Sequence, residues 1–365
     1  MPKTFPMLAA ETGGYTVPPA RIAILAISAG ALNLGTRLAA ELQAELYPCK
    51  GEVRQHFQTL WQSHDALICI MASGIVVRQI APLLQDKYRD PAVLVMDERG
   101  QFVISLLSGH VGGANALTKR VAAICGGQAV LTTASDVLGL TALDLWCREL
   151  GLQVADKEQF TRVMGRLVDQ GFLRLWTADM AAPPLPPDIH PAACPEEADL
   201  FLSWQAKPEN RPQNSALLHP QALSIGIGCN RDTSKEDIAA AVSSSLARYN
   251  LAPQAVVCLA SIDLKADEAG LLAYAAEERL PLQFFSKDAL NTVEAVQYSE
   301  AVFRATGAKG VAEPAALLAA GPGAKLLVPK IKWPDVTVAV ATGASVAWPY
   351  PASSAPPQEK SGNTL

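Results

Sequence analysis

The sequence lacks the closely spaced cysteine and histidine motifs that hold metal ions or disulfide frameworks in many proteins. Its seven cysteines contain no CxxC pair, and its five histidines contain no HxH or HExxH spacing. Zinc sites and redox-active pairs depend on such spacings. The pattern therefore argues against a metal ion held by the protein, and an odd, scattered set of cysteines favours a reducing compartment.

Charged residues are scarce as well, since they make up 18% of the 365 residues, and the net charge is −5. This charge argues against a nucleic-acid partner, but it does not exclude an anionic small molecule, which responds to local fields. No apolar run approaches the length of a membrane span, and residues 1–19 lack the cationic start and apolar block of a signal peptide. We therefore expect a cytoplasmic protein without a membrane partner.

Signatures of nucleotide binding are also missing. The chain has no GxxxxGK phosphate-binding loop, and Gly109, Gly112 and Gly113 do not follow the GxGxxG spacing of dinucleotide sites. An enzyme that uses its glycine-rich turns for nucleotide phosphates therefore stays a rival hypothesis without a motif to support it.

Short apolar runs alternate with helical patterns along most of the chain. Arg21–Ile27 and Ala66–Ala72 are examples of such runs, and each is followed by a glycine-containing turn and a helical pattern. This alternation predicts an α/β fold with two doubly wound lobes, joined by a smaller α/β middle segment and a proline-rich linker. The predicted segments are an N-terminal extension (1–20), a first lobe (21–150), the middle segment and linker (151–220), a second lobe (221–343) and a disordered tail (344–365).

The most informative block is Ser105–Asn115, where an apolar strand pattern meets a helical pattern through Ser-Gly-His-x-Gly-Gly-x-Asn. Glycine removes side-chain bulk, so a ligand can approach the backbone amides at the helix start, which favour anions. His110 adds a group that titrates near neutral pH. It could act as a general acid or base, or it could cap the helix, and Asn115 could orient it or a ligand.

Other turns of the first lobe offer hydroxyls, an arginine and a carboxylate at predicted strand ends. Ser73 and Gly74 begin a helix in which Arg78 lies one turn further on. Arg78 could bind a ligand carboxylate through two parallel hydrogen bonds, or it could be a solvated arginine on the helix surface. Thr133 and Asp136 follow a later strand, and Asp136 is either a base or orienting group or a helix cap. In open α/β sheets, ligands bind beyond the carboxyl ends of strands.

The second lobe repeats this arrangement at three turns. Gly228, Arg231 and Thr233 lie between a strand and a helix, where backbone amides and the arginine suit an anion. Lys265 follows the next strand and could bind a ligand carboxylate or form a salt bridge with Asp263 or Glu268. Glu313 lies at a helix start, where it either caps the helix or contacts a ligand.

Together these blocks resemble the CbiG family, the cobalt-precorrin-5A hydrolases of anaerobic cobalamin biosynthesis. The likeness runs from about Arg21 to Ala341 and is weakest in the middle segment. Asp232 departs from the family pattern, which usually has glycine there, and a carboxylate at that position would repel an anion. The matching blocks are Ala72–Pro82, Asp86–Lys87, Asp90–Ala92, Ser105–Asn115, Thr132–Val137, Gly226–Cys229 with Arg231 and Thr233, Ala260–Glu268 and Thr306–Pro314.

The resemblance implies a substrate and a reaction. The substrate is a cobalt-bearing tetrapyrrole edged with acetate and propionate groups; the enzyme opens its ring A δ-lactone and releases acetaldehyde. No further cofactor is implied, because the substrate carries the cobalt. We expect His110, Asp136 and Lys265 to be catalytic, amides near Gly109–Gly113 to hold the oxyanion, and the ligand to lie between the first and last lobes. Other enzymes of the pathway are possible partners.

The second lobe also resembles the stand-alone CobE proteins of the aerobic route, which have no lactone to open. On this alternative the chain binds and passes on a precorrin without chemistry. The first lobe, which contains His110, argues against it, and acetaldehyde detection would separate the two hypotheses.

Overall fold

The computed structural model describes residues 21–86, 89–110, 112–178, 180–294, 298–343 and 348. The predicted N-terminal extension lies outside them, and so does the predicted tail apart from Trp348. Two compact units divide the chain, one ending at Leu145 and the other beginning at Trp146. No helix in the described ranges is both long and apolar enough to cross a membrane.

The first unit is a six-stranded sheet with helices on both faces. Its strands are β1 (Ile22–Ala26), β2 (Glu45–Pro48), β3 (Ala66–Ile70), β4 (Ala92–Met96), β5 (Phe102–Leu107) and β6 (Gln128–Val130). Its helices are α1 (Ala29–Leu42), α2 (Val53–Ser63), α3 (Ser73–Ile80), α4 (Ala114–Cys125), α5 (Ala134–Leu138) and the start of α6 (Leu143–Glu149).

The strand order is β2-β1-β3-β4-β5-β6. Every residue of β1, β3 and β4 is buried, because α1 and α4 pack on one face and α2 and α3 on the other. Strands covered on both faces have continuous apolar sequences, which is why these runs stand out in the chain. The predicted doubly wound α/β fold is confirmed for this unit.

The direction of β5 divides the strand ends between two edges of the sheet. β5 runs antiparallel to β4 after a turn at residues 97–100, and β6 runs parallel to β5. The carboxyl ends of β1, β3 and β4 therefore lie at one edge, and those of β5 and β6 lie at the opposite edge. A five-residue strand separates the two edges by roughly 16 Å.

Helix α1 ends at Leu42 because Gln43 takes a left-handed conformation with φ of 54°, and β2 follows as a short, half-exposed edge strand. Helix α2 was not predicted, although its buried residues Phe57, Leu60 and Trp61 follow the three- and four-residue spacing of an amphipathic helix.

The second unit begins with a five-stranded sheet in the order β7-β11-β10-β8-β9. Part of the predicted linker is wrong, since Ala216–Pro220 is a fully buried strand rather than a connection. This strand pairs in parallel with Leu200–Leu202 and antiparallel with Leu152–Val154, so both of its sides are hydrogen-bonded within the sheet. The elements are β7 (Leu152–Val154), α7 (Lys157–Gln170), β8 (Leu173–Thr177), β9 (Ile189–Pro191), β10 (Leu200–Leu202) and β11 (Ala216–Pro220).

A second sheet of this unit has the order β14-β13-β12-β16-β15. Helices α8 and α9 pack on one face and α12 on the other. The elements are β12 (Leu223–Cys229), α8 (Lys235–Arg248), β13 (Val256–Ile262), α9 (Ala269–Glu278), β14 (Leu282–Phe285), α10 (Lys287–Asn291), α11 (Glu300–Thr306), α12 (Ala312–Ala320), β15 (Lys325–Lys332) and β16 (Val336–Thr342).

Gly226 allows α12 to pack against β12 at very short range. A Cβ atom at this position would lie 1.8 Å from the carbonyl oxygen of Ala312. We expect Gly226→Ala to lower the free energy of unfolding by about 3 kcal/mol or more, because backbone must move. Gly165→Ala is the matched control: it meets no atom within 4 Å on α7 and should stabilise by about 0.5–1 kcal/mol. Equal urea midpoints for the two variants would contradict this packing.

Candidate active site

The Ser105–Asn115 block forms a tight turn between β5 and α4. Gly113 caps α4 with a left-handed φ of 84°, and its amide donates to the carbonyl of His110 at 3.0 Å. The amides of Ala114 and Asn115 donate to the carbonyls of Ser108 and Gly109. These bonds close the turn and fix the backbone that bears His110.

His110 lies between two carboxylates. Its Nε2 atom is 2.8 Å from Oδ2 of Asp136, and its Nδ1 atom is 3.4 Å from Oδ1 of Asp144. The side chains of all three residues are at most 18% exposed. Ser135 Oγ is 3.4 Å from Nε2. His110 is therefore not a helix cap, and Asp136, in the first turn of α5, is a direct partner of the imidazole.

Asn115 is the polar link between the strand, the helix and the Asp136 turn. Its Nδ2 group donates to Asp136 Oδ2 at 2.7 Å and to Thr133 Oγ1 at 3.2 Å, while its Oδ1 atom accepts from Ser105 Oγ at 2.6 Å. Asn115 is only 5% exposed. A buried amide with these partners holds the carboxylate in one orientation, so Asn115 orients Asp136 rather than His110 itself.

The glycines of the turn make room for this network. A Cβ atom on Gly109 would lie 2.8 Å from Asn115 Oδ1, and one on Gly112 would lie 2.5 Å from Cβ of Ser108. The amides of Gly113, Ala114 and Asn115 are already used within the turn. The expectation that amides near Gly109–Gly113 hold an oxyanion is therefore wrong for Gly113, because its N–H already donates to the His110 carbonyl.

Opposite charges shift the pKa values of the central pair. The hydrogen bond to Asp144 is the largest influence on His110, and with Asp136 it raises the imidazole pKa against the effect of burial. Burial acts to raise the pKa of Asp136, but His110 and Lys119, whose Nζ is 3.4 Å from Oδ1, outweigh it and lower that pKa. Both shifts favour the charged forms of the pair.

The stability of this cluster should depend on pH. With a raised pKa, His110 contributes stability that is fully present below its unfolded value of 6.5 and is lost as pH rises through the folded value. With a lowered pKa, Asp136 contributes above 3.8 and loses that contribution as pH falls through its folded value. In urea unfolding, the free energy of unfolding of wild type should exceed that of His110→Gln by most in the pH range where Asp136 is ionised and His110 is protonated. An advantage that does not change with pH would contradict the ion pairs.

Ser73, Gly74 and Arg78 do not join the His110 cluster. They lie at the carboxyl edge of β3, whereas Ser108, beside His110, donates to the Asp90 carbonyl at the amino end of β4. All three are exposed, and Arg78 donates to the Gly74 carbonyl at 3.0 Å. Ser73 also lines a mostly apolar cavity of about 440 Å³, whose polar lining residues include Ser28 and Glu98.

Glu268 is the centre of the polar contacts in the second lobe. It is 3% exposed, and its carboxylate accepts from the amide of Asp232 and from Lys265 Nζ, both at 2.8 Å. Lys265 thus forms the salt bridge that was one of its two predicted alternatives. Arg231 is more exposed and pairs with Asp267 at 2.6 Å.

The neighbouring candidates also have structural roles. Asp232 has a left-handed φ of 59°, a backbone conformation that glycine adopts without steric cost. Gly228 lies inside β12, where a Cβ atom would be 2.6 Å from Thr337 Oγ1. Thr233 is buried and donates to the Asn230 carbonyl. Glu313 is buried and accepts the Lys330 amide, while Val311 caps α12.

Comparison with known proteins identifies the family. The model described as "Cobalamin synthesis G N-terminal" matches residues 55–136, and "Cobalamin synthesis G C-terminus" matches residues 223–341. A cobalt-precorrin-5A hydrolase of Priestia megaterium is 37% identical over 320 residues, covering 82% of this chain and 84% of that protein. This chain belongs to the CbiG family.

Two further relatives define the extent of the likeness. The CbiG relative of Salmonella typhimurium, a cobalt-precorrin-5A hydrolase, is 35% identical over 300 residues and covers 76% of this chain and 86% of that protein. The protein CobE of a Sinorhizobium species is 37% identical over 126 residues, which are 34% of this chain and 82% of that protein. The CobE likeness is therefore confined to a third of the chain.

Two carboxylates of this CbiG family member, Asp144 in the first unit and Glu268 in the second, were not singled out as functional residues from the sequence. Asp144 follows the segment that matches the N-terminal family model, and no local pattern marks it as a partner of His110. Glu268 was considered only as a salt-bridge partner, although it is a charged residue beside a predicted strand end. The cleft expected between the first and last lobes stays a prediction.

Proposed function

We propose that this protein hydrolyses the ring A δ-lactone of cobalt-precorrin-5A and releases acetaldehyde, giving cobalt-precorrin-5B. The observation that carries the proposal is the likeness to curated hydrolases over 82% and 76% of the chain. That likeness takes in both family-model segments, whereas CobE resembles only a third of the chain. The acid–base cluster around His110 supplies groups suited to lactone hydrolysis.

The cobalt ion enters this reaction as part of the substrate. Across the described ranges, no group of three or more His, Cys, Asp or Glu side chains is arranged to hold a metal ion. We assign binding, orientation and proton transfer to the protein, and the macrocycle accepts the electrons. We propose that the reaction takes place in the cytoplasm, where other enzymes of the pathway would supply its substrate and consume its product.

His110 is the proposed acid–base group. Lactone opening adds water to the carbonyl and moves one proton from water to the departing ring oxygen. The new hydroxyl then loses its proton, the adjacent carbon–carbon bond breaks, acetaldehyde leaves, and the electron pair passes to the macrocycle. An imidazole that alternates between two protonation states can take part in both stages.

Asp136 and Asn115 set the position of that imidazole. Asp136 holds Nε2 at 2.8 Å, and the Asn115 amide donates to the same carboxylate oxygen at 2.7 Å. Acid–base catalysis depends on such placement, because a proton moves only across hydrogen-bond distance. Asp136 is thus proposed as an orienting group and Thr133 as part of its support.

The peripheral carboxylates of the substrate need cations. Arg231 is exposed, so its guanidinium group, which also pairs with Asp267, is accessible to a ligand carboxylate. Arg78 is exposed as well, but it lies at the opposite edge of the first sheet from His110, and we do not assign it to this substrate. Lys265 is already bonded to the buried Glu268, and we assign it to the support of the Arg231 turn rather than to the reaction.

Incubation of purified protein with cobalt-precorrin-5A tests the function. We expect acetaldehyde, trapped as a hydrazone, to form in proportion to the substrate that loses its lactone. A carrier of the CobE type would bind the substrate and return it unchanged. An intact lactone after prolonged incubation with folded protein, shown to bind the substrate, would overturn the proposal.

A further inference from the structure

Asp144 is a largely buried carboxylate beside His110, and the proposed steps leave its role open. Its side chain is 11% exposed, and Oδ1 lies 3.4 Å from Nδ1 of His110. The same oxygen accepts the amide of Leu145 at 3.0 Å, near the start of α6. The carboxylate is therefore held by its own helix while it faces the imidazole.

A neutral imidazole does not fit between two carboxylates. It has one N–H donor and one nitrogen with a lone pair, and an ionised carboxylate can only accept. One of the two contacts, at 2.8 Å to Asp136 or at 3.4 Å to Asp144, would then oppose a lone pair to a carboxylate. With a proton on each nitrogen, both contacts become charge-assisted hydrogen bonds or ion pairs.

The other groups around the ring are consistent with that state. Lys119 pairs with Asp136 at 3.4 Å from outside, and Ser135 Oγ can accept from or donate to Nε2. The raised pKa of His110 also favours the protonated ring.

We propose that Asp144 is a positioning residue that, with Asp136, holds His110 as an imidazolium in the free protein. On the proposed function, His110 then begins each turnover as a proton donor to the departing ring oxygen. One proton of the attacking water goes to solvent. The neutral imidazole left behind accepts the proton of the new hydroxyl as the carbon–carbon bond breaks, which restores the imidazolium.

Histidine titration by NMR tests this assignment without the substrate. Full-length protein with labelled histidine rings should give five ring signals, and the one absent from His110→Gln belongs to His110. We expect this signal to titrate at a higher pH than a free histidine in wild type and at a lower pH in Asp144→Asn than in wild type. Asp169→Asn, which alters an exposed carboxylate on α7, should leave the midpoint unchanged.

The pH–rate profile of acetaldehyde release provides the second readout. Its alkaline limb should move to lower pH in Asp144→Asn by the same amount as the NMR midpoint, because the proton donor is lost earlier. An unchanged NMR midpoint in a folded Asp144→Asn variant would overturn the role of Asp144. A shifted midpoint in a protein that releases no acetaldehyde would keep the imidazolium assignment and reject the proposed function instead.

Discussion

Replacement of His110 by alanine is expected to reduce the rate of acetaldehyde release about 100-fold or more, because positioned acid–base groups contribute that much to many reactions. The imidazole is fixed by Asp136 at 2.8 Å and serves both the lactone opening and the carbon–carbon cleavage in the proposed sequence. Single-turnover assays with cobalt-precorrin-5A in excess protein would measure the rate without interference from product release.

His190→Ala is the matched control for this experiment. His190 is an exposed histidine on β9 whose ring contacts Phe172, and its loss should leave the rate close to wild type. Substrate binding should survive in His110→Ala, since the proposed cationic contacts are elsewhere. A His110→Ala variant that matches wild type in rate would remove His110 from the reaction.

Replacement of Glu268 by glutamine is expected to lower the free energy of unfolding by about 3 kcal/mol, the loss typical of breaking a buried ion pair. Glu268 is 3% exposed and binds Lys265, whose side chain is 13% exposed. Glutamine would leave the lysine charge without its partner and weaken the contact with the amide of Asp232. Urea unfolding followed by tryptophan fluorescence measures the effect.

Glu277→Gln serves as the control for Glu268→Gln. Glu277 is an exposed carboxylate that pairs with Lys235, and surface pairs of this kind contribute little to stability. If Lys265 instead acts on the substrate, Glu268→Gln should keep its stability and change the kinetic constants. That outcome would return Lys265 to the catalytic residues.

The central strands were predictable because burial on both faces leaves a continuous apolar sequence. β1, β3 and β4 are each five buried residues long and stand out for this reason. The short strand β2 has no buried residue, and β11 lies in a stretch rich in proline and polar residues. Such strands depend on neighbours for pairing, and local sequence does not describe those neighbours.

The candidate site was predictable where one turn carries several polar residues. His110, Asn115 and Asp136 belong to two turns that come together because β5 and β6 are parallel neighbours. Ser73 and Arg78 were expected in the same region, yet they lie at the opposite edge because β5 reverses direction beside β4. A pattern marks strand ends, but only the pairing of strands says which ends share an edge.

The contacts made by Asp144 and Glu268 illustrate a second limit. Asp144 meets a histidine 34 positions earlier in the chain, and Glu268 meets an amide 36 positions earlier. Carboxylates on helices are usually solvated, so their residue type alone does not reveal burial beside a partner. The positions became evident only once the packing of the helices against the sheets was known.

A single turnover of cobalt-precorrin-5A in heavy-oxygen water tests the central claim most directly. If this protein hydrolyses the lactone by attack of water on its carbonyl, one heavy oxygen should appear in the new carboxylate of the tetrapyrrole product, with acetaldehyde released. A product without label in that carboxylate, or a lactone that stays closed beyond the level of a protein-free control, would contradict the account.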